Sequence, residues 1–149
     1  MAQENKLSGN SSATLTVKSR TEKLIEVRDF VSSAARDFGF EEEAVNKIAL
    51  AVDEACTNII KHSYKFATDK DIHVTVMTVG GKFEVRIQDQ GKSFDPETVK
   101  APNMKEYLHQ YRRGGLGMYL MRSLMDKVEY IVSPGTMNEV RLVKFLQQK

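Results

Sequence analysis

The sequence predicts an α+β fold: a two-layer sandwich with a mixed, mainly antiparallel sheet and helices packed on one face. Three observations predict it. Strand-like and helix-like segments follow in the order strand, two helices, hairpin, loop, helix, hairpin, which suits helices gathered on one side of a sheet. The two long helical segments each carry one apolar stripe. The stretch Lys82 to Gln88 alternates cleanly, with Phe83, Val85 and Ile87 facing one way and Glu84, Arg86 and Gln88 the other, so one face packs on a core and the other meets water.

The elements can be justified in turn. Residues 1–12 are polar and rich in Ser and Asn, and are expected to form a flexible arm ahead of one domain at 13–149. Ala13 to Ser19 alternates around Leu15 and Val17, a short strand. Thr21 is placed to cap a helix whose stripe is Leu24, Val27, Val31, Ala34, Ala35 and Phe38, and Gly39 ends it. Glu41 to His62 reads as one longer helix with acidic residues at its start and Lys61 and His62 at its end, as the helix dipole favours. Its apolar positions include Val45, Ile48, Val52, Cys56 and Ile59. Lys65 to Asp71 is a polar loop. Ile72 to Val79 and Lys82 to Gln88 flank Gly80-Gly81, a hairpin signal. Pro96 to Val99 suits one helical turn, within a weakly periodic loop that runs to residue 114. Gly117 to Asp126 looks helical, and Val128 to Ser133 and Asn138 to Leu146 look like strands joined by a Pro134-Gly135 turn.

Bulk properties narrow the class of protein. A chain of 149 residues with 41% hydrophobic residues suits one domain with a real core. Lys and Arg number 22 against 20 Asp and Glu, a net charge of +2, which gives no long-range field for nucleic acid. The local basic group Lys105, Arg112 and Arg113 suits a phosphate better than a polymer. The lone Cys56 excludes an intrachain disulfide and favours a reducing compartment. The longest apolar run, Ile48 to Val52, is too short to span a bilayer, and the first twelve residues lack a signal-peptide stretch. A soluble cytoplasmic protein is the expectation.

Three motifs carry chemistry. Glu54 and Asn58 stand four apart on the second helix, hence on one face, with Ala51 a turn before and Lys61 or His62 a turn after. An Asn carbonyl oxygen can ligate Mg²⁺, which keeps phosphates and waters as its other ligands, and a carboxylate one turn away can accept a proton. The same spacing also occurs on plain solvated faces. Asp89-Gln90-Gly91 closes a strand; the carboxylate can accept a hydrogen bond from an exocyclic amine such as adenine N6, and Gly91 permits close approach. Taken alone it also fits an ordinary turn. Gly114-Gly115-Leu116-Gly117 opens a helix beside Arg112 and Arg113, presenting backbone N–H groups and guanidinium groups to anions. No Lys-Ser or Lys-Thr follows, which excludes a P-loop, and no strand directly precedes, which argues against a Rossmann turn. A glycine hinge is the alternative.

In their order and spacing these motifs resemble the GHKL ATPase superfamily, the nucleotide domain of gyrase-type and histidine-kinase-type proteins, and most of all the bacterial anti-sigma-factor serine/threonine kinases. The resemblance runs from about Leu15 to Leu146. Asp53 to His62 matches the family's N-box, with Glu54 at its base position and Asn58 at its Mg²⁺ position; Lys61 falls in the same box. Asp89-Gln90-Gly91 matches the first glycine box, with Asp89 at the adenine-reading position, and Gly115-Leu116-Gly117 matches the second, with Arg113 near the phosphate-contacting arginine. Pro134-Gly135-Thr136 resembles the late Gly-Thr segment whose Thr approaches the adenine side, and residues 95–114 correspond to the ATP lid. The first glycine box usually has a second Gly two residues after Gly91; this chain has Ser93, which strains the loop if φ is positive there.

The resemblance implies an ATP- and Mg²⁺-dependent protein serine/threonine kinase in a partner-switching pathway. It would phosphorylate a small STAS-type antagonist protein and hold a sigma factor, without direct contact to nucleic acid or membrane, with a homodimer in view. Two other readings stand beside it: an anti-sigma module that uses ATP only to shape its surface, to which Ser93 leans, and a detached ATPase-like domain of a phosphorelay. The last needs a phospho-acceptor His on a helical hairpin, and His62, His73 and His109 offer none. No His or Cys spacing suggests zinc.

Overall fold

The computed structural model describes residues 10–91, 117–133 and 137–147. The chain runs β1 (Ser11–Lys18), a 3₁₀ turn (Thr21–Lys23), α1 (Leu24–Phe38), α2 (Glu42–Asn58), a π-helical turn (Ile59–Ser63), β2 (Asp71–Val79), β3 (Lys82–Asp89), α3 (Gly117–Leu124), β4 (Lys127–Ser133) and β5 (Met137–Phe145). The five strands form one sheet in the order β1-β2-β3-β5-β4, and every neighbouring pair is antiparallel. The helices pack on one face of that sheet, giving the expected α+β sandwich, with the described strands wholly antiparallel where the sequence predicts a mixed, mainly antiparallel sheet. The helical turn expected near Pro96 lies outside the described residues.

Period-2 burial decides which face is which. Ile72, Val74 and Val76 of β2, Phe83, Val85 and Ile87 of β3, and Val140 and Leu142 of β5 all lie on the core side, each at most 3% exposed. They meet Val27, Val31 and Ala35 of α1 and Val45, Ile48, Val52 and Cys56 of α2, the stripes that helical spacing predicts. Gly39 takes φ +118° after α1, where its N–H bonds Ala35 O and Arg36 O; a side chain there would be strained, so Gly ends the helix. Phe38, Phe40 and Phe83 close this end of the core with ring centroids 5.5–5.6 Å apart.

Two details depart from expectation. Thr21 opens the 3₁₀ turn, so α1 begins at Leu24 with Lys23 at its N-cap and no side-chain capping bond. The outer sheet face is not simply wet: Glu84 is buried there, with a hydrogen bond from Arg86 and a Lys82 contact at 3.4 Å. Gln88 donates to Glu139 at 2.7 Å, and Arg141 donates to the same carboxylate. Burial alone would raise Glu84; the Arg86 hydrogen bond and the charges of Arg86 and Lys82 outweigh it and hold its carboxyl below the usual range. The long basic side chains cover their own acid, which alternation in a single strand does not reveal.

Cys56 is fully buried in the helix–sheet interface, and burial, with the Asp53 charge second, pushes its thiol up to about 12. Only a thiolate attacks disulfide reagents, so the native protein is expected to leave an aromatic disulfide reagent unreacted for hours at about pH 8 and to react at once in denaturant. Rapid modification under native conditions would contradict this packing. Among the described residues no helix is long and apolar enough to cross a membrane.

Candidate functional site

The site is built around the C-terminal end of α2. Ala51 and Ala55 are buried, Glu54 is half-buried, and Asn58, the last α-helical residue, is 9% exposed. Glu54 and Asn58 therefore share one face, a turn apart, as their spacing predicts. Glu54 makes no hydrogen bond or ion pair with any described residue.

Beyond Asn58 the helix does not run straight on to His62. It widens into the π-helical turn Ile59–Ser63, closed by the Tyr64 N–H on Ile59 O at 2.8 Å. Lys61 and His62 are exposed on this turn, so Lys61 does not simply continue the Glu54–Asn58 line. The wide turn delivers Ser63 to the end of β3, where its hydroxyl donates to Asp89 Oδ1 at 2.5 Å. Tyr64, buried and raised in pKa mainly by that burial, donates to Asp71 O at 2.6 Å and accepts the Gln90 N–H at 2.8 Å.

Asp89 is 4% exposed and ends β3 on the core face. Its Oδ1 also accepts the Gly91 N–H at 2.8 Å and Asn138 Nδ2 at 3.1 Å; Asn138 is its cross-strand partner on β5. Gly91 is required by close approach: a Cβ there would stand 2.2 Å from Ser63 Oγ, 2.6 Å from Ser63 O and 2.8 Å from Ser63 C. Gly117 opens α3, which packs against α2 and buries Met121 in the common core, with Met125 just after its end buried there too.

Of the residues expected from sequence, Glu54 and Asn58 lie on the last turns of α2, Asp89 and Gly91 lie against Ser63 in the turn that follows it, and α3, which begins at Gly117, packs against α2. Arg113, Gly115, Leu116, Thr136, Ser93 and the lid lie outside the described residues. Two participants were not anticipated, Ser63 and Asn138. Ser63 lies one residue beyond His62, where the sequence predicts the helix to end; the pairing of Asn138 with Asp89 depends on strand register.

The hydrogen-bond inventory marks the same place. Among the described residues, the buried side-chain nitrogen and oxygen atoms without a partner are Asn58 Nδ2 and Asn138 Oδ1. Buried polar groups are nearly always bonded, and an orphan points to a missing partner. Here the two orphans are an amide on α2 and the amide that holds Asp89.

This fold and this placement of motifs define a histidine kinase-like ATPase domain. The family of that description matches residues 17–144, and the chain belongs to it. Its relatives include the serine-protein kinase RsbW of Listeria monocytogenes, 35% identical over 140 residues that cover 91% of this chain and 88% of that protein. The serine-protein kinase RsbW of Bacillus licheniformis is 32% identical over 127 residues, covering 83% and 78% respectively. A crystal structure of RsbU and RsbW domains from Mycobacterium tuberculosis superposes with a TM-score of 0.63 at 15% identity. It covers 91% of this chain, which spans about a third (32%) of the other, and at that identity the likeness shows the fold.

Proposed function

We propose that this chain is an ATP-dependent serine/threonine protein kinase that phosphorylates a small STAS-type antagonist protein and holds a sigma factor in the cytoplasm. The observation that carries ATP binding is the pair of buried amides left with an unpartnered atom among the described residues, Asn58 at the end of α2 and Asn138 beside Asp89, on a histidine kinase-like ATPase fold. The relatives named as serine-protein kinases support the kinase reading. A homodimer is part of the proposal, on the strength of the family resemblance.

The residues suit Mg²⁺-ATP. Asn58 Nδ2 is buried and lacks an acceptor, which a phosphate oxygen can provide, and the amide carbonyl oxygen is a hard donor of the kind Mg²⁺ takes. No cluster of three His, Cys, Asp or Glu among the described residues could hold a metal, so a cation at Asn58 would share its shell with phosphates and water. When bound, Mg²⁺ supplies charge neutralisation of the triphosphate. Asp89 reads the base, Gly91 lets it approach, and Glu54 takes the proton of the incoming hydroxyl. Arg113 and the amides of Gly115, Leu116 and Gly117 receive the terminal phosphates, with Lys61 and Thr136 in supporting contacts.

Calorimetric titration with Mg²⁺-ATP tests the pocket. Binding is expected in the wild type, with an affinity loss on the order of tenfold in Asn58→Ala, the value of one hydrogen bond to a charged group. The loss should shrink when Mg²⁺ is replaced by EDTA. No heat at millimolar nucleotide would remove the reading.

A further inference from the structure

We infer that Ser63 and Asn138 together orient Asp89 and make the pocket select a purine that bears a 6-amino group over a 6-oxo purine, an inference that rests on the ATP-binding reading. Asp89 stands where three segments meet: the π-helical turn after α2, the end of β3, and β5. Each sends one donor, and all three converge on the same oxygen. Ser63 Oγ lies at 2.5 Å from Oδ1, the Gly91 N–H at 2.8 Å and Asn138 Nδ2 at 3.1 Å. A carboxylate oxygen offers two lone-pair directions, so Oδ1 is saturated. Among the described residues nothing donates to Oδ2.

The Asn138 amide is fixed as well. The end that faces Asp89 Oδ1 also lies 3.4 Å from Gly91 O, so it meets two acceptors and must be the NH₂ group. That leaves Asn138 Oδ1 as the buried atom without a partner. Neighbouring strands in direct register thus each leave an acceptor unused, Asp89 Oδ2 on β3 and Asn138 Oδ1 on β5. A site to which the described residues offer these two acceptors welcomes an amine and repels a carbonyl oxygen such as O6 of guanine or hypoxanthine. Rigidity gives the discrimination its force. A carboxylate tied by three donors cannot swing to the neighbouring N1–H of an oxo-purine; one freed by loss of Ser63 or Asn138 can.

The test is a comparison of dissociation constants for ATP, ITP and GTP, measured by displacement of a fluorescent ATP analogue, in the wild type, Ser63→Ala and Asn138→Ala, with Tm followed in parallel. ITP carries an oxygen where ATP carries the amine, so the wild type alone already probes the claim. It is expected to prefer ATP over ITP by at least about tenfold. In each variant the ATP/ITP ratio should fall by about fivefold or more. A purely structural role would lower Tm and weaken all three nucleotides alike. Equal binding of ATP and ITP by the wild type, or unchanged ratios in both variants, overturns the inference and leaves ATP binding standing. Failure of the wild type to bind any of the three nucleotides removes the ATP reading, and this inference with it.

Discussion

Gly91→Ala is expected to lose ATP binding by on the order of a hundredfold or more and to lower Tm by on the order of 5 °C. The cause is local. An added Cβ would stand 2.2 Å from Ser63 Oγ, a contact that a hydroxyl rotation could relieve. It would also stand 2.6 Å from Ser63 O and 2.8 Å from Ser63 C, and these are backbone atoms that cannot rotate away. Either the π-helical turn or the end of β3 must move. Both movements pull apart the donors on Asp89, because Ser63 and the Gly91 N–H supply two of its three bonds to described residues. The clash therefore reaches the nucleotide through the orientation of Asp89 and reaches stability through the strain. Calorimetry with Mg²⁺-ATP and a thermal melt check both arms. A Gly91→Ala protein that binds ATP like the wild type would show that Ser63 does not approach Gly91 as described.

How much of this was legible in the sequence follows from how local each feature is. The sheet and helices were, because Val27, Val31 and Ala35 or Phe83, Val85 and Ile87 announce their periods within one segment. The Glu54–Asn58 pair was, since four residues on a helix suffice to place both on one face. Asp89 and Gly91 were visible as a strand end followed by a residue that tolerates close approach. The π-helical turn was not: Ile59, Ile60, Lys61 and His62 carry ordinary helical signals, and the widening accompanies contacts from Ser63 and Tyr64 to a strand end more than twenty residues away. Asn138 was not, because the register that sets it opposite Asp89 joins strands separated by the segment containing the second glycine box. Glu84, expected to meet water, is covered by the long side chains of Arg86 and Lys82 on its own face, which alternation alone does not announce.

The second large effect concerns Glu54→Gln, which should keep ATP affinity within about twofold while reducing phosphoryl transfer to a cognate antagonist protein by about 10²–10⁴-fold. Glu54 lies one helical turn before Asn58, half-buried, with no hydrogen bond or ion pair to any described residue. A carboxylate held in a structural ion pair would be a poor candidate for a base; this one is paired with none of the described residues. Gln preserves the volume and a carbonyl oxygen but cannot take a proton, so the substitution isolates proton acceptance from shape. Because no described partner is lost, stability should change by less than about 0.5 kcal/mol. Asn58→Ala gives the opposite signature, weaker Mg²⁺-dependent binding, so the pair separates the chemistry of one helix face into two measurable parts. Single-turnover transfer of labelled γ-phosphate from ATP to the antagonist is the direct measurement. Transfer by Glu54→Gln at the wild-type rate would take the base role away from Glu54. A parallel fall in ATP affinity and transfer would instead make Glu54 a binding residue.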